Sequence, residues 1–307
     1  MILGVCPNPS IDITIPVNNL KLQQTNRADN ATTTYSGKAI NALKTLNVLG
    51  EFCVATGFMF SNDKELFLND LSDHQIDSAF VTLAGDVRKN IKLVEPNGEL
   101  TEINTKSVSI TDDNKTALLN KVTQLSAKAR AVIISGSLPE GCSPEYYGEL
   151  VNAIDKKAIK IVDTHGDMLL STLKYGVDLI KPNKFELECI ENRTLTSVTD
   201  MVAACKKLIK AGAKNVLLSL GDKGAIMCNE DVCLFANSPK VIVKSPVGAG
   251  DSMIGVCAKL LTVTNDYKEI LRYAIAAGTA AVMTEGTTPF NIEEFKSLYK
   301  KIVVGSI

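Results

Sequence analysis

The stretch SPVGAGDS, at residues 245–252, is the starting point for predicting the fold. It follows the β-branched run VIVK at residues 241–244, which is predicted to be a strand, and precedes a helical pattern over residues 253–261. Glycines between a strand and a helix allow backbone N–H groups to converge on an anion, and the helix N-terminus adds partial positive charge. Asp251 would then lie in the first turn of the helix, beside that anion. Turn glycines followed by a capping aspartate would explain the same residues without a function.

Two common nucleotide-binding motifs do not match this stretch. No Gly-Lys-Ser or Gly-Lys-Thr follows the glycines, so it is not a Walker loop. A dinucleotide fingerprint has three glycines near the start of its domain, whereas only Gly248 and Gly250 are present here, close to the end of the chain. The sequence therefore argues against a dehydrogenase.

From about residue 107 onward, apolar strands alternate with helical patterns. Strands are predicted at residues 131–134, 159–162, 177–180 and 216–220. Continuous apolar strands separated by helices are typical of a parallel sheet that is covered on both faces. The predicted fold class is therefore α/β, with a central, mostly parallel sheet and helices on both faces.

The first third of the chain contains β segments that do not follow this alternation. Residues 13–17 alternate and contain a proline, which favours an edge strand. Residues 89–94 and 100–103 flank Pro96-Asn97-Gly98, a strong turn signal, and read as a hairpin. We interpret residues 10–35 and 88–106 as a small β-sheet lid, and residues 1–9, 36–87 and 107–307 as the α/β core domain.

A second candidate site follows the predicted strand at residues 177–180. Lys181, Asn183 and Glu186 come directly after it, and the carboxyl ends of parallel strands are where open α/β sheets bind ligands. Asn183 and Glu186 would share a face if a helix begins there. Their oxygens suit Mg²⁺ or its water ligands, although a helix cap followed by a surface glutamate is the simpler alternative.

The overall composition limits the possible functions. The chain has 307 residues and a formal net charge of -1, so no global positive field attracts nucleic acid or an acidic membrane. The 8 cysteines form no Cys-x-x-Cys pair and are expected to be buried and reduced, and 2 histidines cannot build a His-rich metal site. We find no targeting signal and no apolar run of roughly 20 residues, and therefore predict a cytoplasmic protein.

Taken together and in this order, the motifs resemble the ribokinase-like carbohydrate kinases, the PfkB family, over essentially the whole chain. The resemblance implies a ribokinase-like fold in which Asp251 is the base that deprotonates the acceptor hydroxyl. Asn183 and Glu186 match the family's Asn-x-x-Glu motif, which implies that they bind Mg²⁺, through water, and phosphate. The anion hole would be formed by Gly248, Ala249 and Gly250, and ATP would be held by Lys181, Asn183, Ser219, Gly221 and Gly224.

Within the family, the N-terminal third is similar to the phosphosugar branch, the 1-phosphofructokinases and tagatose-6-phosphate kinases. The similarity lies in Asn8-Pro9-Ser10-Ile11-Asp12, Asn26-Arg27, Gly37-Lys38-Ala39-Ile40-Asn41, Arg88-Lys89-Asn90-Ile91-Lys92 and Gly136-Ser137-Leu138-Pro139. It implies that Asp12, Gly37 and Asn41 line the sugar site, while Arg27, Lys38, Arg88 and Ser137 hold the phosphate that the sugar already carries. Ala39 and His165 depart from the family pattern, at positions near the expected substrate.

The resemblance implies ATP-dependent phosphorylation of a ketohexose phosphate, with fructose 1-phosphate favoured and tagatose 6-phosphate as the alternative. A kinase of an unphosphorylated sugar would not need the cluster of basic residues, and a non-catalytic sugar-phosphate sensor would not need Asp251 with the Asn183/Glu186 pair. The implied cofactors are ATP and Mg²⁺. Some relatives also require K⁺, and the residues of this sequence show no pattern that predicts or excludes a K⁺ site. The lid often forms a homodimer contact in relatives, and no nucleic-acid or membrane partner is implied.

Overall fold

The computed structural model describes residues 1–96 and 99–307. The described helices are α1 (Lys38–Val48), α2 (Lys64–Asp73), α3 (Asp112–Ser126), α4 (Glu145–Asn152), α5 (Gly166–Leu173), α6 (Lys184–Glu191), α7 (Val198–Lys210), α8 (Ala249–Leu261), α9 (Tyr267–Ala281) and α10 (Ile292–Tyr299). The strands are β1 (Ile2–Cys6), β2 (Ser10–Pro16), β3 (Thr32–Ser36), β4 (Cys53–Phe60), β5 (Ile76–Ser78), β6 (Val81–Leu83), β7 (Arg88–Val94), β8 (Leu100–Asn104), β9 (Ala131–Ser135), β10 (Ile159–Asp163), β11 (Val177–Ile180), β12 (Ala213–Ser219), β13 (Ala225–Cys228), β14 (Cys233–Ala236) and β15 (Gly305–Ser306).

A large sheet forms the centre of the fold, with the strand order β15-β14-β13-β12-β11-β10-β9-β1-β4-β5 and with β6 also pairing with β4. Pairing is parallel from β12 to β5, and β13, β14 and β15 add an antiparallel edge. The four predicted buried strands are β9 to β12, so the predicted α/β class with a mostly parallel sheet is confirmed.

Hydrophobic burial fixes the centre of this sheet. Every residue of β1, β4 and β9 is buried, as expected for strands with helices on both faces. Ile40, Leu43 and Leu46 of α1 are completely buried, and α1 packs against both β1 and α8. This packing places the start of α1 and the start of α8 side by side, which sets up the site described below.

A separate four-stranded sheet, the small sheet, has the order β3-β2-β7-β8. The prediction that residues 13–17 form an edge strand is wrong, because β2 pairs with β3 on one side and with β7 on the other. Pro16 is tolerated because the β2–β3 pairing ends at Thr14 and Thr32, so its missing N–H faces no partner strand. β7 and β8 form the predicted antiparallel hairpin. The predicted turn at Asn97 and Gly98 lies outside the described residues.

The strand predicted at residues 241–244 is also wrong, because none of these residues belongs to a strand. Their β-branched composition favours a strand, but the N–H group of Lys244 donates to the carbonyl oxygen of Val282 in the segment after α9. The side chain of Ile242 is 87% exposed, while Val241 and Val243 line the cleft described below. The segment therefore forms a wall of the site and does not belong to the sheet.

The structure gives two further results on the sequence predictions. All eight cysteines are free, and Cys6, Cys53, Cys205, Cys228 and Cys257 are buried as expected. Cys142 and Cys233 are only partly buried and Cys189 is exposed, so the prediction that the cysteines are buried is wrong for these three. Among the described residues, we find no helix with the length and apolar character needed to cross a membrane.

Candidate active site

A cleft of about 1240 Å³ lies along the carboxyl ends of the parallel strands. One wall is the small sheet, and the opposite wall comes from the loops after β9, β10, β11 and β12 together with the start of α8. Single ligand pockets commonly measure about 300–1,000 Å³, so this volume is large enough for two small molecules side by side. Of the residues predicted to bind substrate, ATP or metal or to act in catalysis, all except Arg27 line the cleft. Ala39, which departs from the family pattern, is fully buried and does not line it.

The N-terminus of α8 opens into this cleft. Gly248 precedes the helix with φ 87°, a left-handed conformation that glycine adopts without strain, and no side chain caps the helix. The first N–H groups of a helix have no intrahelical partners, and these groups belong to Ala249, Gly250 and Asp251, which all line the cleft. A Cβ at Gly250 would lie 2.8 Å from the Lys181 Nζ, so this amine lies close against the backbone of the helix end.

Asp251 is 7% exposed and lies in the first turn of α8, as predicted. Burial raises the pKa of its carboxyl to about 6, and the negative charge of Asp163 acts in the same direction. A hydrogen bond from Asn41 and the positive charges of Lys38 and Lys181 oppose this increase. A carboxylate with a pKa near 6 is mostly ionised at neutral pH and is still a better proton acceptor than an ordinary aspartate.

Asp163, at the end of β10, is a charged residue of the site to which the sequence analysis gave no role. It is 2% exposed, and its carboxylate lies 3.2 Å from Lys181 Nζ and 3.9 Å from Lys38 Nζ. Burial alone would raise its pKa, but Lys181 and Lys38 outweigh burial and hold the pKa below its ordinary value. Asp163 raises the pKa of Lys38 in turn. One buried carboxylate thus holds two ammonium groups beside the N-terminus of α8.

Asn183 and Glu186 bind each other at the start of α6. The Glu186 N–H donates to Asn183 Oδ1 and the Asn183 N–H donates to Glu186 Oε2, both at 2.8 Å, which is a capping box. Both residues also line the cleft, so the cap and a ligand site coexist. No cluster of three or more His, Cys, Asp or Glu residues suited to a metal occurs in residues 1–96 and 99–307. A Mg²⁺ ion beside Glu186 would therefore take most of its ligands from phosphates and water, as this ion commonly does.

The small sheet contributes a polar face to the cleft. Asp12 lies 5% exposed on β2, where its Oδ1 accepts hydrogen bonds from Ser10 Oγ and Asn90 Nδ2 and its Oδ2 pairs with Lys92 Nζ at 2.9 Å. Every second residue of a strand points to the same face, so Arg88, Asn90 and Lys92 of β7 all point to the same face of the small sheet. The sequence motif contained Asn90 and Lys92, but the prediction assigned a role only to Arg88.

Arg88 reaches across to the loop after β1. Its Nη1 donates to Asn90 Oδ1 at 2.9 Å, and its Nε and Nη2 donate to the carbonyl oxygen of Asn8. Asn8 Nδ2 in turn donates to Ser137 Oγ at 3.1 Å, which joins Arg88 and Ser137 into one polar cluster. Arg27 is exposed on the loop before β3, and it does not line the cleft with the other predicted phosphate ligands.

A family model described as "pfkB family carbohydrate kinase" matches residues 7–294 of the chain. The chain belongs to the pfkB family of carbohydrate kinases. This membership confirms the resemblance drawn from the motifs. Curated relatives include the 1-phosphofructokinase of Vibrio cholerae, which is 30% identical over 100% of this chain and 97% of its own length. The 1-phosphofructokinase of Borreliella burgdorferi is 31% identical over 98% of this chain and 96% of its own.

Solved structures of pfkB relatives confirm the ribokinase-like architecture. The phosphofructokinase-2 of Escherichia coli in complex with potassium matches with a TM-score of 0.91 and 29% identity, over 98% of each chain. The same enzyme has been solved in complex with substrates and products, at a TM-score of 0.91, and in a tetrameric inhibited form, at a TM-score of 0.89.

In this pfkB kinase, a second group of predicted residues forms the far end of the cleft. Ser219 ends β12, and residues 221–223 form a short 3₁₀ helix before Gly224. The Cβ of any other residue at Gly224 would lie 1.9 Å from the Ala236 carbonyl oxygen, so the turn requires glycine. This turn was predicted, and it lines the cleft together with residues 237–241, which the sequence reading did not assign to the site.

Proposed function

We propose that this protein transfers the γ-phosphate of ATP to a hydroxyl of fructose 1-phosphate, forming fructose 1,6-bisphosphate and ADP. The observation that carries the proposal is that Asp251, the N-terminal N–H groups of α8 and the polar face of the small sheet line one cleft. The full-length similarity to proteins named 1-phosphofructokinase favours this substrate over tagatose 6-phosphate.

In the proposed reaction, Asp251 accepts the proton of the acceptor hydroxyl while that oxygen forms a bond to the γ-phosphorus and the bond to ADP breaks. The N–H groups of Ala249 and Gly250 stabilise the negative charge on the transferred group. Lys181, held by Asp163, adds a positive charge at the same place. Magnesium, when bound beside Glu186, would neutralise charge on the nucleotide phosphates.

The phosphate already on the sugar would be held by Arg88, Ser137 and Lys38. Arg88 and Ser137 are joined through Asn8, and Lys38 at the start of α1 lines the same cleft. Guanidinium and ammonium groups bind phosphate strongly, and a neutral sugar would leave these charges without a partner. Asp12 and Asn41 would contact the sugar hydroxyls.

We further propose that residues 10–35 and 88–106 act as a lid and that the lid forms a homodimer. The face of the small sheet that points away from the cleft carries Ile13, Ile91 and Ile103, which are paired side by side across three strands. Ile103 is 54% exposed, so a second copy of this chain would remove apolar surface from water. A potassium requirement is proposed by analogy with the Escherichia coli enzyme that was solved with potassium.

The test is an ADP-release assay with Mg-ATP against fructose 1-phosphate, tagatose 6-phosphate, fructose 6-phosphate, fructose and ribose. We expect turnover on ketohexose phosphates, with fructose 1-phosphate the best substrate. Preference for free fructose or ribose would contradict the phosphate-binding assignment. Binding of a sugar phosphate without any turnover would support the sensor alternative.

A further inference from the structure

Asn41 makes a contact that the sugar-binding assignment does not explain. It lies in the first turn of α1, is 7% exposed, and its Nδ2 donates a hydrogen bond of 2.8 Å to Asp251 Oδ2. Its Oδ1 accepts a hydrogen bond of 3.3 Å from Ser36 Oγ, which is also buried. A buried chain of hydrogen bonds thus runs from the end of β3 through α1 to the carboxylate at the start of α8.

The chemistry of the partners fixes the orientation of the Asn41 amide. An ionised carboxylate only accepts hydrogen bonds, so the NH₂ group must face Asp251 and the carbonyl oxygen must face Ser36. The Ser36 hydroxyl supplies the donor that the carbonyl oxygen needs. The opposite orientation would set two acceptors against each other in a buried place, which is costly.

We propose that Asn41 is a positioning residue for Asp251. The Asn41 amide occupies Oδ2 of Asp251 and so leaves Oδ1 of Asp251 as the oxygen that takes the proton from the acceptor hydroxyl. The inference rests on the proposed function, in which Asp251 is the base. Among the described residues, Oδ1 has no hydrogen-bond partner, whereas Oδ2 is held from α1. Fixing one oxygen of a carboxylate sets the direction of the other, which is the geometry that proton transfer requires.

Several groups besides Asn41 influence whether the Asp251 carboxyl is ionised. Asp163 on β10 disfavours ionisation of Asp251, and Lys38 of α1 and Lys181 after β11 favour it. Cys6 on β1 also faces Asp251, but burial raises the pKa of its thiol to about 12, so the thiol is uncharged at neutral pH. Asn41 supplies the uncharged donor that stabilises the ionised form, so its removal should raise the pKa of Asp251 further.

The residue before Ser36 is also held against α1. Lys44 of α1 is buried and donates to the carbonyl oxygen of Tyr35 at 3.0 Å, which fixes the end of β3 against α1. Ser36 is the last residue of β3, so the side chains of Ser36 and Asn41 connect the small sheet to Asp251. Ser36→Ala should therefore shift the properties of Asp251 in the same direction as loss of Asn41, by a smaller amount.

The experiment is a ¹³C NMR titration of aspartate carboxyls in wild type and in Asn41→Leu, with the Asp251 signal assigned from Asp251→Asn. A hydrogen bond to a charged group corresponds to about one to two pKa units, and we expect the pKa of Asp251 to rise by that amount in Asn41→Leu. The matched control is Thr45→Val, which removes the 2.9 Å hydrogen bond to Ser252 Oγ between the same two helices. The control should leave the pKa of Asp251 unchanged.

Kinetics separates positioning from sugar binding. Positioning predicts that Asn41→Leu lowers kcat and moves the acid limb of kcat/KM to higher pH with the pKa of Asp251, in addition to any rise in the KM for sugar phosphate from the lost sugar contact. A large rise in KM with an unmoved Asp251 pKa would overturn the inference. If Asn41→Leu does not fold, the same titration on Ser36→Ala decides the question, since an unchanged pKa there would also overturn it.

Failure of this inference and failure of the proposed function give different results. The NMR titration needs no substrate, so it reports on the Asn41–Asp251 contact even if the assay shows no phosphosugar turnover. Turnover in wild type together with no pKa change in Asn41→Leu would overturn the positioning role alone.

Discussion

Lys92 Nζ lies 2.9 Å from Asp12 Oδ2, and this ion pair joins the parallel strands β2 and β7 inside the cleft. The side chains are 13% and 7% exposed, so both charges are largely removed from water. The other oxygen of Asp12 is bound by Ser10 and Asn90. Lys92 therefore neutralises a carboxylate that would otherwise repel an anionic sugar next to it.

We expect Lys92→Met to lower the free energy of unfolding by about 3 kcal/mol, because it leaves the Asp12 charge buried without its partner. The KM for sugar phosphate should rise as well, since an uncompensated carboxylate would face the substrate. Urea unfolding and initial-rate kinetics measure the two effects.

The matched control for Lys92→Met is the double variant Asp12→Asn/Lys92→Met. Removing both charges should restore much of the lost stability, because neither charge is then left alone. If the double variant is less stable than Lys92→Met, the ion pair is not the source of the effect.

The raised pKa of Asp251 predicts that this residue reduces stability at neutral pH. The folded-state pKa of about 6 lies above the ordinary value of 3.8, so the folded state binds the proton more tightly and is destabilised as pH rises through that range. The difference corresponds to about 3 kcal/mol at pH above 6 and vanishes below pH 4. Asp251→Asn should therefore be more stable than wild type at pH 7.5, and this advantage should shrink as the pH falls toward 4.

Thermal unfolding of wild type and Asp251→Asn across this pH range measures the effect. A constant difference in Tm at all pH values would show that ionisation of Asp251 is not its cause. An advantage that grows as the pH falls would contradict the direction of the pKa shift.

Arg88 and Lys89 offer a matched test of phosphate binding, because they are adjacent on β7 and point to opposite faces of the small sheet. Arg88 lines the cleft and Lys89 does not. Arg88→Ala should raise the KM for fructose 1-phosphate about 10- to 100-fold, as expected for loss of a charge-assisted contact, while the KM for ATP changes little. Lys89→Ala removes one charge from the same strand and should leave both values near those of wild type. Equal effects of the two variants would contradict a specific contact.

Where local chemistry dictates structure, the sequence was sufficient to predict it. The buried strands β9 to β12 and the glycine-rich start of α8 were predicted, because continuous apolar runs must be buried and because glycines mark turns with backbone conformations that other residues rarely adopt. The segment at residues 241–244 failed because β-branched composition cannot reveal whether a partner strand is present. The position of β2 inside the small sheet was missed for the same reason, since pairing is a property of distant segments.

The site residues follow the same pattern. Asp163 was given no role, although it begins the stretch Asp163-Thr164-His165-Gly166, in which His165 departs from the family pattern, and directly follows a predicted apolar strand at the edge where ligands bind. Lys92 and Asn90 were visible as the alternate positions of a strand that begins at Arg88. Arg27 does not line the cleft in this structure, so its contact with the substrate phosphate, inferred from the Asn26-Arg27 match, stays a prediction.

The apolar outer face of the small sheet predicts an interface between copies. Ile103→Lys should shift the protein toward a smaller assembly in light scattering after size-exclusion chromatography, because a charge cannot be buried there without a partner. Leu66→Lys on α2 is the control, since Leu66 is similarly exposed, at 59% compared with 54% for Ile103. A monomeric wild type, or equal dissociation by both variants, would contradict the proposed dimer.

The most direct test of the central claim is the turnover of Mg-ATP and fructose 1-phosphate by wild type and by Asp251→Asn, with ATP binding measured in parallel. Loss of a general base typically reduces the rate about 10²- to 10⁴-fold, and we expect that loss in kcat with ATP affinity retained. Turnover of fructose 1-phosphate by Asp251→Asn at a rate near that of wild type would contradict the assignment of Asp251 as the base of a phosphosugar kinase.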